Sequence, residues 1–324
     1  MNNGFCRISD GDAVRLKAVG KRTSRVLYSI FRMAFLIAVG YIVIYPMLYM
    51  IVSSLQSKYA FLNSSRIWIP SDLSIKENYK TAVLCLDYTT SLLSTLKNEI
   101  IAGLIQVVSC AVAAYGFARF EFRGKRIKLA LLFLTIIVPD MMLLIPRMIN
   151  YSHLDFLGIL ALVNKITGVD LRPNILGSAV TFWLPALFGV GLKSGILIYI
   201  YIQFFKGLPR ELEEAAWVDG AGPIRTFCNI AVPSSSVVII TVFIFSVIWH
   251  WNDSTLSGMY LLGDYPLALQ VTRLEAALLF QPRDPQSMAI VMAACILFIA
   301  PMLIMYMILQ KWFIESIDRV GITG

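Results

Sequence analysis

The sequence predicts an all-α polytopic membrane protein with six transmembrane helices and a helix–turn–helix loop on its cytoplasmic side. Three observations predict it: an apolar composition, six long apolar stretches, and one polar loop with a glycine turn at its centre. Of the 324 residues, 58% are apolar or aromatic and 15% are charged, against about 45–50% and 25% in soluble domains. Mean hydropathy is +0.72. This balance excludes a soluble enzyme with one core, a disordered chain, a coiled coil and a disulfide scaffold. The five cysteines are scattered with no CxxC pair, and His153 and His250 lie far apart. Neither pattern suggests a metal centre.

A helix needs roughly 20 mainly apolar residues to cross the hydrocarbon. The stretches that qualify are 26–53, 93–117, 127–147, 175–205, 234–252 and 287–310. Helix is the expected form, since a lipid-exposed backbone must satisfy its own hydrogen bonds. Pro46, Pro139, Pro146, Pro185 and Pro301 fall within or at the ends of these stretches, where neighbouring helices tolerate a kink. Direction follows from lysine and arginine in the short loops. The N-terminal segment, the loops after spans two and four, and the tail hold sixteen such residues, against nine in the other three loops. The cluster Arg119, Arg123, Lys125, Arg126 and Lys128 gives the sharpest contrast. Both termini are therefore expected in the cytoplasm. The division is 1–25 as a basic N-terminal segment, 26–310 as the membrane domain, and 311–324 as a C-terminal tail.

The loop 207–233 carries the most specific signal. Pro209 suits the first turn of a helix, and Glu211, Glu213 and Glu214 complement the positive end of its dipole. Leu212, Ala215, Ala216 and Val218 form a small-residue apolar strip. Asp219-Gly220-Ala221-Gly222 breaks the helix, glycine supplying the positive φ that a helix end favours. Pro223 opens a second short helix through Cys228. An exposed helix with a flat small-residue face is shaped to enter a groove on another protein.

This run resembles the Glu-Ala-Ala loop of ATP-binding-cassette importer permeases, Glu-Ala-Ala-x3-Gly-x9-Ile-x-Leu-Pro. The chain has Glu214-Ala215-Ala216, then Gly220, then Ile230 and Val232-Pro233, with only valine for leucine at 232. The resemblance covers about 250 residues and points to the oligosaccharide branch, with permeases like the smaller maltose-importer subunit. Ala114-Tyr115-Gly116-Phe117-Ala118-Arg119-Phe120, the prolines 139 and 146, Trp251-Asn252-Asp253, Gln310-Lys311-Trp312-Phe313, and Ile69-Pro70 through Asn78-Tyr79 match its elements in order. Asn98-Glu99 departs from the Asn-Ser common there, and the tail lacks the lysine that often precedes the last glycine. The resemblance implies the type I importer permease fold. It further implies that Glu211, Glu214, Ala215, Ala216, Asp219, Gly220, Gly222, Ile230 and Pro233 couple the spans to ATPase subunits. Implied partners are a second permease subunit in a heterodimer, two ATP-binding-cassette ATPases, an extracytoplasmic solute-binding protein, an oligosaccharide and membrane lipid, with no nucleic acid. The implied location is the bacterial inner membrane.

The remaining candidates come from the cost of ionisable groups in a bilayer. Lys97 and Glu99, near the start of span two, are read as reaching the interface by snorkelling. Lys193, midway through span four, either lines the translocation path or pairs with an acid on a partner subunit. Trp249, Trp251, Asn252 and Asp253 end span five and form either an interfacial aromatic belt or a sugar cradle. Gln106 and Asn98 are expected interhelical hydrogen-bond partners. Gly191-Leu192-Lys193-Ser194 is no phosphate loop, because its first glycine is misplaced and no strand precedes it. The chain thus carries no ATPase site and no cofactor of its own, and ATP and Mg belong to the partner subunits. An ion-driven secondary transporter is the alternative, but it calls for inverted repeats and midplane carboxylates. The sequence displays neither.

Overall fold

Helices account for the architecture of the computed structural model, which describes residues 10–57, 68–69, 72–155, 158–263, 265–279 and 285–321. Among them no extended strand occurs, only an isolated bridge between Gln56 and Leu73. Helix α1 (Asp10–Leu55) is 46 residues long and runs straight through the 25/26 boundary expected from the charges. Its apolar part, Arg25–Leu55, buries none of its most apolar window within the chain. Phe31, Leu36, Ile42 and Val43 project outward. At about 1.5 Å per residue it exceeds the roughly 30 Å hydrocarbon thickness.

After α2 (Ile75–Cys85) comes the central element. Helix α3 (Tyr88–Thr95), a π-turn (Leu96–Ile100) and α4 (Ile101–Arg119) form one run of 32 residues. Its small residues let neighbours approach closely. Cys110, Ala111, Ala114 and Ala118 pack against Leu197, Tyr201, Ile202 and Phe205, and against Val238 and Val242.

The third predicted stretch is bent. Helix α5 (Lys125–Ile137) meets the segment Asp140–Ser152, which contains α6 (Leu144–Ser152), at 98°. Pro139 forces its predecessor out of the helical region, and Val138 is extended, with ψ 122. Helix α7 (Ile159–Thr167) then leads to the fourth stretch.

The fourth stretch differs from its prediction as one helix over 175–205. It divides into α8 (Val180–Leu187) and α9 (Ser194–Gly207). Pro185 contributes no N–H to the ladder, Gly189 takes φ +68, and Lys193 itself is left-handed at φ +55. Helix α9 alone spans only about 21 Å.

Helices α10 (Glu211–Val218) and α11 (Pro223–Thr226) follow, then a π-turn (Phe227–Ala231) and a helical turn at Val232–Ser234. That segment meets α12 (Ser236–Trp251) at 80°. Ser235 marks the corner, its hydroxyl donating to the carbonyls of Ala231 and Val232. Helices α13 (Thr255–Tyr260), α14 (Leu267–Leu279) and α15 (Pro285–Gly321) complete the fold. Helix α15 continues past residue 310 without a break, while residues 322–324, like Met1–Ser9 and Pro70, lie outside the described residues. Among the described residues, three helices are long and apolar enough to cross a membrane, and up to five when each bent pair counts as one.

Candidate functional site

Two sites stand out: a hairpin at one end of the bundle and a charged cavity where two helices break. In the hairpin, α10 ends as its residues dictate. The Asp219 N–H bonds the Ala215 carbonyl, the Gly220 N–H that of Trp217, and the Ala221 N–H that of Ala216. The last two form a Schellman closure. Gly220 sits at φ +82 with open space around a notional Cβ. It is needed there for its backbone, not for room. Glu211, Glu214, Ala215, Asp219 and Gly222 are exposed, with Pro233 exposed and Ala216 and Ile230 half-buried. Val218 is 88% exposed and Ile224 80%.

The hairpin is fixed to the central run by a contact that sequence reasoning missed. The Arg119 Nε donates to Glu213 Oε1 at 2.8 Å, with both side chains 4% exposed. Its Nη2 donates to the Leu208 carbonyl at 2.9 Å. Tyr115, one turn earlier, packs its ring against Phe205 and Phe227. Of the three acids in α10, Glu213 is the buried one because it faces the bundle. The sequence showed a basic cluster at 119–128 and an acidic first turn at 211–214, but far apart along the chain.

The cavity, about 380 Å³, lies between the two breaks. Thr135 and Val138 border it from one, Gly191 and Ile196 from the other, together with Asp140, Arg147 and Lys193. The Lys193 Nζ sits 2.9 Å from Asp140 Oδ2. Non-helical backbone at membrane depth is tolerated where it lines such a cavity. The other predicted path residues do not reach it. Trp249 stacks on Phe245. The Trp251 indole donates to the Phe298 carbonyl, and with Asn252 it borders a separate apolar cleft. The Asp253 carboxylate accepts from the backbone of Leu256 and Ser257, and so caps α13.

Behind the cavity lies a buried polar cluster. Glu99 is 1% exposed, not at an interface, so the snorkelling expectation is corrected: its Oε2 is 3.2 Å from His250 Nδ1. Lys97, by contrast, is exposed. Burial this deep requires a partner, and α12 supplies one 151 positions along the chain. Gln106 does link helices, bonding the 192–194 segment, whereas the Asn98 side chain bonds only Ser94 of its own run and it is the Asn98 backbone carbonyl that accepts from the Trp183 indole.

Broken helices around a charged cavity, with a latched and exposed hairpin in the same apolar chain, fit a solute permease. The chain belongs to the family of binding-protein-dependent transport system inner membrane components, which it matches over residues 13–319. It is 24% identical over 282 residues to the melibiose/raffinose/stachyose import permease protein MelC of Bacillus subtilis, covering 86% of this chain and 91% of that one. With the diacetylchitobiose uptake system permease protein NgcG of Streptomyces coelicolor it shares 27% identity over 286 residues, 88% and 86% of the two chains. A solved bacterial ABC transporter involved in import of the acidic polysaccharide alginate shares the fold, with TM-score 0.65 and 18% identity over 90% of this chain and 98% of the other.

Proposed function

We propose that the chain is one permease subunit of an ATP-binding-cassette importer for an oligosaccharide. It pairs with a second permease above two ATPases and receives solute from an extracytoplasmic binding protein. The bent segments 125–152 and 180–207 cross as broken spans, giving six spans in all with both termini cytoplasmic. Residues 26–310 form the permease domain, between the basic segment 1–25 and the tail 311–324. ATP and Mg act on the partner subunits, and this chain holds no cofactor. The names of the relatives, import proteins for melibiose and diacetylchitobiose among them, support a saccharide.

The observation that carries this reading is the hairpin. It presents Glu211, Glu214, Ala215, Asp219 and the nearly bare Val218 and Ile224 outward, while Arg119 ties its base to the central run. Apolar side chains that exposed on a fixed protrusion suit a partner's groove. Closure of the ATPases pulls on Glu211–Gly222 and, through Arg119 and the corner before α12, tilts the helices around the cavity. Lys193 lines the solute path, whereas Trp249, Trp251, Asn252 and Asp253 shape the end of α12. Glu214→Lys and Gly220→Val test the hairpin in the complete transporter reconstituted with its ATPases and binding protein. Uptake is expected to fall at least tenfold while ATP hydrolysis persists. Uptake at the full rate in both variants overturns the proposal.

A further inference from the structure

We propose that Gln106 is a positioning residue for Lys193, holding the break between α8 and α9 so that the lysine reaches the cavity. The inference rests on the path-lining role given to Lys193 above. Three independent observations carry it.

The first is bond direction. Gln106 is fully buried, and its Nε2 donates to the Leu192 carbonyl at 2.6 Å and to Ser194 Oγ at 2.7 Å. These are the residues on either side of Lys193. A carbonyl only accepts, so the amide has one possible orientation and its Oε1 must face away from the break. There it accepts from Ser246 Oγ at 2.7 Å and from His250 Nε2 at 3.1 Å. His250 is therefore a donor at Nε2, and its Nδ1 lies 3.2 Å from Glu99 Oε2. Glu99, His250 and Ser246 thus fix the amide, and the amide fixes the break.

The second observation is the backbone. Lys193 adopts φ +55, a conformation that is strained for a side-chain-bearing residue and persists only when its surroundings impose it. Bonds to both flanking residues are such an imposition. The third is the fit at Gly191. A Cβ there would lie 3.1 Å from Ala186 Cα and 3.4 Å from Gln106 Nε2. The chain closes over the glutamine because that residue is glycine. On the far side Lys193 Nζ meets Asp140 Oδ2. The polar chain therefore runs from the π-turn at Glu99, through α12, to the cavity.

The test measures how fast a cationic methanethiosulfonate reagent modifies Lys193→Cys in the assembled transporter, with its native cysteines replaced by alanine. Measurements run with and without ATP plus vanadate, and Ile224→Cys on the hairpin serves as reference. Gln106→Met fills the same volume without the four hydrogen bonds. It is expected to change the rate at position 193 at least fivefold and to leave position 224 unaltered. Ser246→Ala removes one bond to the amide and is expected to shift the rate in the same direction by a smaller factor. An unchanged rate at 193 in both variants overturns the positioning role and leaves the path reading standing. No reaction of Lys193→Cys in either state removes the path reading and this inference with it. If Gln106→Met does not assemble, Ser246→Ala decides alone, an unchanged rate counting against the proposal.

Discussion

Deleting one side of the buried pair that latches the hairpin should loosen the hairpin before it unfolds the bundle. Glu213→Ala leaves the buried Arg119 guanidinium, 4% exposed in the intact pair, with only the Leu208 carbonyl among the described residues to accept from it. Breaking a buried ion pair by removing one partner costs about 3–5 kcal/mol. At about 1.4 kcal/mol per tenfold, that raises the population of undocked hairpin by about two to three and a half decades. Arg210 stands exposed at the start of α10, so the rate of limited trypsin cleavage after it reads this population. Arg119→Met should open the hairpin to a similar degree. The double variant Arg119→Met with Glu213→Leu should lose much less than the sum, because no unpaired charge remains buried. Wild-type cleavage in both single variants, or strictly additive costs in the double variant, would refute the reasoning.

Two further outcomes follow from the cavity. Gly191→Ala forces a shift of Ala186 or of the Gln106 amide and should destabilise the purified transporter by about 1–3 kcal/mol, read as a lower melting temperature with reduced uptake. Asp140→Asn should change stability by only about 0–1 kcal/mol, since the side chains of the pair with Lys193 are 26% and 45% exposed. Its effect should appear in the uptake rate. A large fall in melting temperature with normal uptake would show that the pair serves structure alone.

Much of the fold was legible because apolar length is a local property. The runs at 26–53, 93–117 and 287–310 lie within helices long and apolar enough to cross a membrane, and Gly220 takes the positive φ expected of it. The breaks were less legible. Hydropathy does not distinguish a straight helix from one interrupted at Pro139 or between Leu187 and Ser194, where the flanking residues remain apolar. The burial of Glu213 beside an exposed Glu214 depends on helical phase relative to Arg119, 94 positions earlier. The pairing of Glu99 with His250 depends on how α12 packs against the central run. Trp251 and Asp253 looked like site residues by type, yet their polar atoms are taken up by the Phe298 carbonyl and the start of α13.

The wide turn at Leu96–Ile100 contains one residue more than a regular α-helix of that length needs. The Trp183 indole donates to the Asn98 carbonyl within that turn, which fixes where the extra residue sits and so where Glu99 faces His250. The most buried of the membrane-length helices among the described residues therefore has an irregular turn anchored by a tryptophan.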